Sequence, residues 1–382
     1  MPSKKGEVPG REGINLFRIA GIQITIDFSW FIIFILILWS LSVGYFPKEF
    51  PGQNALAYWF AGLIATLLFF LSVVIHELSH SLMAIRLGMK INEITLFIFG
   101  GISKLSEEAR TPQDEFKIAV VGPLSSFALA IVFRGAAGAL TALQFSFMAA
   151  VFSYLSWINV ALGVFNLIPG FPLDGGRVLR AFLWWKTGSI ARATKWTSDI
   201  GKGFAVALMV IGTFQIFSGR LLGGIWMIFI GMFLRWVAEG GYQEVLIRQA
   251  LEGVSVREVM VTQMVSVSPE MKVSDLISSF FLKYGYTGYP VMENDEILGV
   301  VSLSQVKDLT DEEKENRKVR EIMTALSKEI CVGPEDSLAD ALKKMIQQNM
   351  SRLLVLDKNQ VVGLITKTGL FRFIEIKRLF EG

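Results

Sequence analysis

Long runs of uncharged, mostly apolar residues recur along the first 234 residues of the chain. Six such runs can be counted, at residues 28–46, 55–75, 118–133, 145–173, 203–219 and 221–234. A helix needs about 20 apolar residues to cross the roughly 30 Å hydrocarbon core of a bilayer, and the longer runs meet this requirement. The pattern therefore predicts a polytopic α-helical membrane domain with about six spans. The last run has only 14 residues and also fits a buried or re-entrant helix.

The segments between these runs alternate in their number of basic residues. The N-terminal segment and the second and fourth loops are rich in Lys and Arg, whereas the other three loops contain one each: Lys48, Arg134 and Arg220. Because basic residues accumulate on the cytoplasmic side, the alternation predicts a multi-pass cell-membrane protein with both termini in the cytoplasm. No small-residue cleavage site follows the first run, so we interpret it as a retained span rather than a signal peptide.

After Arg235 the sequence has mixed charge and contains a weak internal repeat with an offset of about 64 residues, in which Gly299 matches Gly363. Each copy has the pattern of a short strand, an amphipathic helix and two further strands. Two copies can close one soluble α/β domain of roughly 130 residues. We therefore predict a membrane domain followed by a soluble tail. Their bounds are 1–240 for the membrane domain and 251–382 for the tail, with halves of approximately 251–312 and 316–378.

The composition supports a membrane protein and excludes several functions. The chain is 52% hydrophobic with a mean hydropathy of +0.49, and only 19% of its residues are charged, compared with about 25% in soluble domains. The net charge of +3 is too small to indicate binding to nucleic acid. The single cysteine, Cys331, excludes internal disulfides and cysteine-rich metal sites.

The chain has two histidines, and they lie four residues apart in "VIHELSH", with Glu77 directly after His76 and before His80. On a helix this spacing places both imidazoles on one face, where they can bind a single metal ion. Zinc fits best, because catalytic zinc sites combine three protein ligands with one open position, and a nearby carboxylate can accept a proton from the activated water. The alternative is that the histidines are core residues and Glu77 is a structural charge. An isolated acid at membrane depth costs about 2.5 to 3.5 kcal/mol, so we favour the metal site.

A third ligand must lie elsewhere in the chain, and it cannot be a histidine. Asp174 follows His80 by 94 residues, in "FNLIPGFPLDGGRVL", after a long uncharged run and before two glycines. Carboxylate oxygen is an accepted zinc ligand, and the neighbouring prolines and glycines would break a helix and allow close approach of the backbone. From the local pattern alone, an ordinary turn at the membrane surface is an equally good interpretation.

Together, these two motifs resemble the site-2 protease family of intramembrane zinc metalloproteases, and the tail resembles a pair of CBS domains. The resemblance covers nearly the whole chain. It implies one zinc ion per chain, held by His76, His80 and Asp174, with Glu77 as general base and acid. It also implies a function: hydrolysis of peptide bonds within or near the transmembrane segments of protein substrates in the lipid bilayer.

The resemblance also suggests residues that contact the substrate. Asn166 corresponds to a polar group near the scissile peptide bond, although a buried asparagine that caps broken backbone is the alternative. The segment "FIFGGISKL" matches a family segment that forms an edge strand, so Gly100 and Gly101 are candidate substrate-binding residues; a simple turn is the alternative. In "VVGPLSSFAL" the family often has an asparagine where this chain has Ser125 or Ser126, so a helix kink at Pro123 is the safer interpretation.

For the tail, the resemblance implies a regulatory or oligomerisation module with an adenine nucleotide and a second copy of the chain as candidate partners. Many nucleotide-binding repeats carry an aspartate that holds the ribose hydroxyls, but the matching segments here offer Gln305 in one repeat and Thr366 followed by Gly369 in the other. We therefore expect at most weak nucleotide binding. The competing hypotheses for the whole chain are a CBS-regulated membrane transporter or channel and a non-catalytic relative that binds membrane proteins. The first does not explain the His-Glu-His motif, and the second retains every residue that the chemistry needs.

Overall fold

The computed structural model describes most of the chain, which divides into two compact units between Val245 and Leu246. The described residues are 13–98, 100–105, 109–262, 264–294, 296–327, 330–348, 350–358 and 360–381. Three basic residues of the N-terminal segment, Lys4, Lys5 and Arg11, lie outside the described residues.

Among the described residues, six helices are long and apolar enough to cross a membrane, which confirms the predicted fold class. The sixth helix continues past Val245, the last residue of the first unit. These spans are Phe28–Glu49, Ala55–Arg86, Pro112–Ala142, Ser146–Asn166, Ile190–Phe217 and Leu221–Leu251. The short sixth run of the sequence lies inside a helix of 31 residues. Its length is therefore sufficient for a span, and a re-entrant helix is not needed to explain it.

The first span is built from three helical pieces. Helix α1 (Phe28–Trp39) begins at Asp27, whose side chain accepts a hydrogen bond from the backbone N–H of Ser29, and continues through a π-helical turn (Ser40–Tyr45) into α2 (Phe46–Glu49). The other helices of this unit are α3 (Ala55–Arg86), α4 (Pro112–Ala142), α5 (Ser146–Asn166), α6 (Asp174–Thr187), α7 (Ile190–Phe217) and α8 (Leu221–Leu251).

The fourth apolar run of the sequence forms α5 and the segment 167–173, and α6 begins directly after the run, at Asp174. Gly175 and Gly176 let the first turn of α6 pack tightly against this connecting segment. A Cβ atom on Gly175 would lie 2.2 Å from the carbonyl oxygen of Leu167, and one on Gly176 would lie 2.3 Å from the carbonyl carbon of Gly170. Because only glycine permits these distances, the start of α6, and with it Asp174, is fixed against the segment before it.

The first unit also contains a four-stranded sheet. Two of its strands precede the first span in the sequence, and the other two follow the second span. Its strands are β1 (Gly13–Ile19), β2 (Ile22–Asp27), β3 (Ile91–Phe97) and β4 (Gly100–Leu105), in the spatial order β1-β2-β3-β4. Strands β2 and β3 are parallel, whereas the other two pairs are antiparallel. The buried side chains of Ile22, Ile24 and Ile94 pack with Ala84 of α3 and Ile118 of α4. The sheet is thus anchored to two helices, and β4 forms one of its edges.

The second unit contains the sequence repeat as two small sheets with short helices. Its strands are β5 (Gly288–Glu293), β6 (Glu296–Ser302), β7 (Thr324–Ala325), β8 (Cys331–Val332), β9 (Arg352–Asp357) and β10 (Gln360–Thr366). Its helices are α9 (Val273–Leu276), α10 (Leu282–Tyr284), α11 (Leu303–Lys307), α12 (Asp311–Asn316), α13 (Val319–Ile322), α14 (Leu338–Gln347) and α15 (Lys367–Glu381). One sheet has the order β5-β6-β7 and the other β10-β9-β8.

The two repeats exchange short extended segments. Ala325, at the start of the second repeat, pairs with Gly299 of β6 in the first. In the equivalent position of the first repeat, Val261 pairs with Leu364 of β10 in the second. The repeats therefore form one interlocked module, as the sequence pattern predicts.

Candidate metal centre and active site

Three buried side chains bring potential metal ligands to one point in the membrane unit. The Nε2 atom of His76 lies 3.0 Å from Oδ2 of Asp174, and Nε2 of His80 lies 3.1 Å from the same oxygen. The two Nε2 atoms are 3.2 Å apart. The histidines come from α3 and the aspartate from the first residue of α6, so the break between α5 and α6 brings Asp174 to the histidine pair.

The dimensions of this cluster fit zinc. Zn–N and Zn–O bonds of about 2.0 to 2.1 Å in a tetrahedral site separate neighbouring ligand atoms by about 3.3 Å. The observed separations of 3.0 to 3.2 Å are only slightly shorter. A small outward movement of the side chains is enough to accommodate the ion.

The hydrogen bonds of the two imidazoles leave their inner nitrogen atoms free to bind a cation. Nδ1 of His80 lies 2.6 Å from the backbone carbonyl oxygen of Ile118, which can only accept, so Nδ1 carries the hydrogen and Nε2 has a lone pair. Nδ1 of His76 lies 2.9 Å from Oγ of Ser126, a hydroxyl that can accept the hydrogen of Nδ1 in the same tautomer. Two lone pairs and a carboxylate oxygen then face one another in a buried site. A cation between them converts this mutual repulsion into attraction.

Four residues form a stripe on one face of α4, and three of them, Ile118, Gly122 and Ser126, lie against this cluster without being ligands in it. Glu115, Ile118, Gly122 and Ser126 are spaced by three, four and four residues, so they form a single stripe along the helix. Ile118 and Ser126 hold the histidines. Gly122 provides clearance, because a Cβ atom there would lie 2.1 Å from Nε2 of His80 and 2.8 Å from Nε2 of His76.

The sequence did not reveal the roles of Gly122 and Ser126. Of the two adjacent serines, Ser125 bonds within its own helix to the carbonyl of Gly122, and Ser126 contacts the metal cluster. Helix α4 continues through Pro123. The helical spacing of Gly122 and Ser126 in "VVGPLSSF" was the available signal, but the side of the helix that faces His76 depends on tertiary packing.

Glu77 lies beside the cluster and against the edge of the sheet. It is close enough to His76 and Asp174 to interact with both electrostatically. Gly101 of β4 packs directly on it, since a Cβ atom on Gly101 would lie 2.4 Å from Cγ of Glu77. Among the described residues, β4 pairs with β3 on one side and with no strand on the other. The predicted glycine segment is therefore an edge strand adjacent to Glu77.

The other predicted substrate-contacting residues have different surroundings. Gly100 begins β4 with a φ of +133°, which favours glycine. Asn166 is the last residue of α5, is partly buried, and donates from Nδ2 to the carbonyl oxygen of Leu162 at 3.0 Å. Its side chain thus bonds to its own helix, and a contact with substrate would require this amide to turn.

Gln305 and Thr366 both take part in helix caps of the second unit. The Oε1 atom of Gln305 accepts from the backbone N–H of Ser302 at 2.7 Å, and its Nε2 donates to Oγ1 of Thr324 at 2.7 Å. Oγ1 of Thr366 accepts from the N–H of Gly369 at 3.0 Å. Each side chain thus already stabilises a helix start, and only part of its hydrogen-bonding capacity remains for a sugar hydroxyl.

Comparisons with known proteins relate both parts of the chain to known families. Residues 64–145 and 135–210 match Peptidase family M50, and residues 256–310 and 319–376 match the CBS domain. The chain is 33% identical to the zinc metalloprotease Rip3 of Mycobacterium tuberculosis H37Rv, over 97% of this chain and 95% of the relative. It is 31% identical to the zinc metalloprotease MJ0392 of Methanocaldococcus jannaschii, over 96% and 98% of the two chains. Among solved structures, the site-2 protease of the same archaeon is similar over 60% of this chain and 94% of its own, with 31% identity and a TM-score of 0.41.

These relatives define the class of the protein as a multi-pass membrane metalloprotease. The chain belongs to peptidase family M50, the zinc metalloproteases of site-2 protease type, and carries a pair of CBS domains. The transporter hypothesis is therefore set aside, and the prediction of a zinc metalloprotease is confirmed.

Substitution of Gly122 tests the clearance that α4 gives the metal cluster. We expect Gly122→Ala to abolish stoichiometric zinc binding, because the new methyl group would occupy the space of the two Nε2 atoms. Gly138→Ala on the same helix is the matched control, since a Cβ atom there meets nothing within 4 Å. Metal analysis of the purified variants would contradict this account if Gly122→Ala retained one zinc per chain.

Proposed function

We propose that this protein is an intramembrane endopeptidase that hydrolyses peptide bonds within or near the transmembrane segments of single-span membrane proteins. The observation that carries the proposal is the convergence of two imidazole lone pairs and a carboxylate oxygen within 3.0 to 3.2 Å of one another, next to Glu77 and to a sheet edge. We assign this activity to residues 1–240, and a regulatory or oligomerisation role to residues 251–382. The alternation of basic loops supports placing it in the cell membrane with both termini in the cytoplasm.

In this proposal each residue of the site has a distinct role. His76, His80 and Asp174 hold zinc, which when bound polarises a peptide carbonyl and makes water nucleophilic near neutral pH. Glu77 accepts a proton from the attacking water as the new C–O bond forms at the carbonyl carbon. It then gives this proton to the leaving amine as the C–N bond breaks. Ser126 and the carbonyl of Ile118 keep the imidazoles oriented throughout.

The edge strand provides a means to hold the substrate. The peptide bonds of a helix are internally hydrogen-bonded, so the segment to be cleaved must unwind before attack. The free edge of β4 can accept this segment as an added strand, and Gly101 brings that strand against Glu77. Asn166 supplies a further polar contact once its amide leaves the carbonyl of Leu162.

Two variants separate the proton carrier from the metal ligands. We expect Glu77→Gln to lose cleavage and to retain zinc, because an amide has a similar shape but cannot accept the proton of water. In contrast, Asp174→Ala removes one of three protein ligands and should lose zinc as well as cleavage. The measurements are cleavage of a single-span membrane protein and zinc content. Near-normal cleavage by Glu77→Gln would remove Glu77 from the mechanism, and undiminished zinc affinity in Asp174→Ala would require another ligand.

Strand addition at β4 predicts an alternating dependence on the backbone N–H groups of the substrate. Synthetic transmembrane peptides that carry one N-methyl group each, at successive positions beside the scissile bond, should be cleaved poorly at every second position. The unmethylated peptide and peptides methylated far from the scissile bond serve as controls. A uniform effect of all adjacent positions would argue against an added strand and leave the zinc chemistry unaffected.

For the tail, the structure supports a role in association more than tight nucleotide binding. Exposed apolar side chains occur on its helices, among them Leu282 at 78% and Phe380 at 86% exposure. Such residues favour contact with a second copy of the chain. The same module contains a buried cation, Arg352, whose Nη2 donates to Oγ1 of Thr287 at 2.7 Å and whose Nε has no partner among the described residues. Burial lowers the pKa of this guanidinium, so an anionic group beside it would be favourable.

Titration of the full chain with adenine nucleotides tests the expectation that the tail binds them only weakly. We expect weak binding of ATP, ADP and AMP, because Gln305 and Thr366 are engaged in caps, and we expect Arg352→Met to weaken it further. Isothermal titration calorimetry in detergent measures the affinity, with Arg257→Met, at a 52% exposed arginine side chain of the same module, as the matched control. Tight binding of any of the three would show that the absent aspartates matter less than we infer.

A further inference from the structure

A buried ion pair links α4 to α6, apart from the metal cluster itself. Nε of Arg180 donates to Oε1 of Glu115 at 2.6 Å, and Nη2 of Arg180 donates to the same oxygen. The arginine is 7% exposed and the glutamate 1%. The guanidinium also lies over the ring of Phe171, with its carbon 5.6 Å from the ring centroid. The pair thus also contacts the segment that connects α5 to α6.

This pair contacts the same two helices that organise the metal ligands. Glu115 lies one turn before Ile118, whose carbonyl holds His80, and on the same face of α4. Arg180 lies six residues after Asp174 on α6, about 9 Å along the helix axis. The α6 helix is short, at 14 residues, and its first residue is Asp174. A shift of Arg180 along or around the axis would therefore be passed to Asp174.

The geometry of the bond makes it sensitive to such shifts. Both donated hydrogens converge on one oxygen, Oε1, and Oε2 of Glu115 has no partner among the described residues. The stack on Phe171 fixes the plane of the guanidinium. Because the pair is buried, water competes little with it. The contact therefore sets the register of α6 against α4 rather than tolerating a range of positions.

We propose that Glu115 and Arg180 are positioning residues for the metal centre, which set the distance of Asp174 from the imidazoles of His76 and His80 without contacting metal or substrate. The effect on turnover rests on the proposed function, whereas the effect on metal affinity does not. Loss of the pair leaves the three ligands in place but lets α6 move relative to α4. The metal is then bound less tightly and in a less regular geometry.

The double variant Glu115→Met/Arg180→Met tests this inference. Replacing a buried ion pair by apolar residues of similar volume often preserves folding, so the full chain should remain folded with a similar thermal midpoint. We expect its zinc affinity, measured by competition with a chelator, to fall roughly tenfold, which is within the range for residues that orient metal ligands. We also expect the visible absorption of the Co²⁺-loaded chain to change, and kcat to fall with KM unchanged. A merely structural role would lower the thermal midpoint and move none of these three.

Further variants keep the test decisive. Arg180→Lys keeps the charge but loses the fork, so its zinc affinity should lie between those of wild type and the double variant; this comparison also decides the matter if the double variant does not fold. The control Asp199→Met/Lys202→Met removes an exposed ion pair of α7, bonded at 3.2 Å, and should leave zinc affinity unchanged. Zinc affinity within twofold of wild type and an unaltered Co²⁺ spectrum in the double variant would overturn the inference. A wild-type chain that binds zinc and cleaves no substrate would overturn the proposed function, while a lower affinity of the double variant would still support the positioning role.

Discussion

The membrane unit depends on one electrostatic constraint, which is that three electron-rich atoms converge at a buried point. The Nε2 atoms of His76 and His80 and Oδ2 of Asp174 repel one another unless a cation lies among them. Such a site forms only if the backbone brings α6 and α4 very close to α3. The glycines of the unit meet this requirement: Gly122 clears space for the imidazoles, and Gly175 and Gly176 let α6 begin tight against residues 167–171.

Helix α4 organises this site although none of its residues is in the ligand group. Its inner stripe sets the tautomer of His80 through the carbonyl of Ile118, orients His76 through Ser126 and leaves room for the imidazoles at Gly122. Glu115, on the same stripe, joins it to Arg180 of α6. The site is therefore divided between helices that supply ligands and one helix that holds them. This division explains why an apolar membrane helix carries a buried acid, a buried serine and a glycine on one face.

The sequence predicts from local spacing that His76 and His80 lie together, whereas Asp174 joins them only through the resemblance to the family. Two histidines four residues apart on a helix share one face, and the segment around Asp-Gly-Gly indicates a break in the helix. The supporting residues are different, since Ser126 and Glu115 acquire their roles only from what packs opposite them. Gly122 shows no chemistry of its own, and its importance is visible only as the distance a methyl group would have to neighbouring atoms. In the tail, the sequence suggests Gln305 as a residue that contacts a nucleotide, and the structure shows that its side chain already bonds to Ser302 and Thr324. Spacing along the chain does not show which partners a side chain already has.

The pairing between the two repeats of the tail determines the order in which parts of this protein can fold during synthesis. Val261 can pair with Leu364 only after about 100 further residues have been synthesised, and Gly299 can pair only once Ala325 has been made. The sheet β5-β6-β7 is complete once Ala325 has been made, and the sheet β10-β9-β8 only when nearly the whole tail has been translated. The six apolar helices of the described residues all precede Val261. The protease unit can therefore enter the bilayer and assemble its metal ligands while the tail is still unfolded. A truncation between Ala325 and Leu364 would spare the strands of the first sheet but remove Leu364, so damage to the second repeat would also cost the first repeat the partner of Val261.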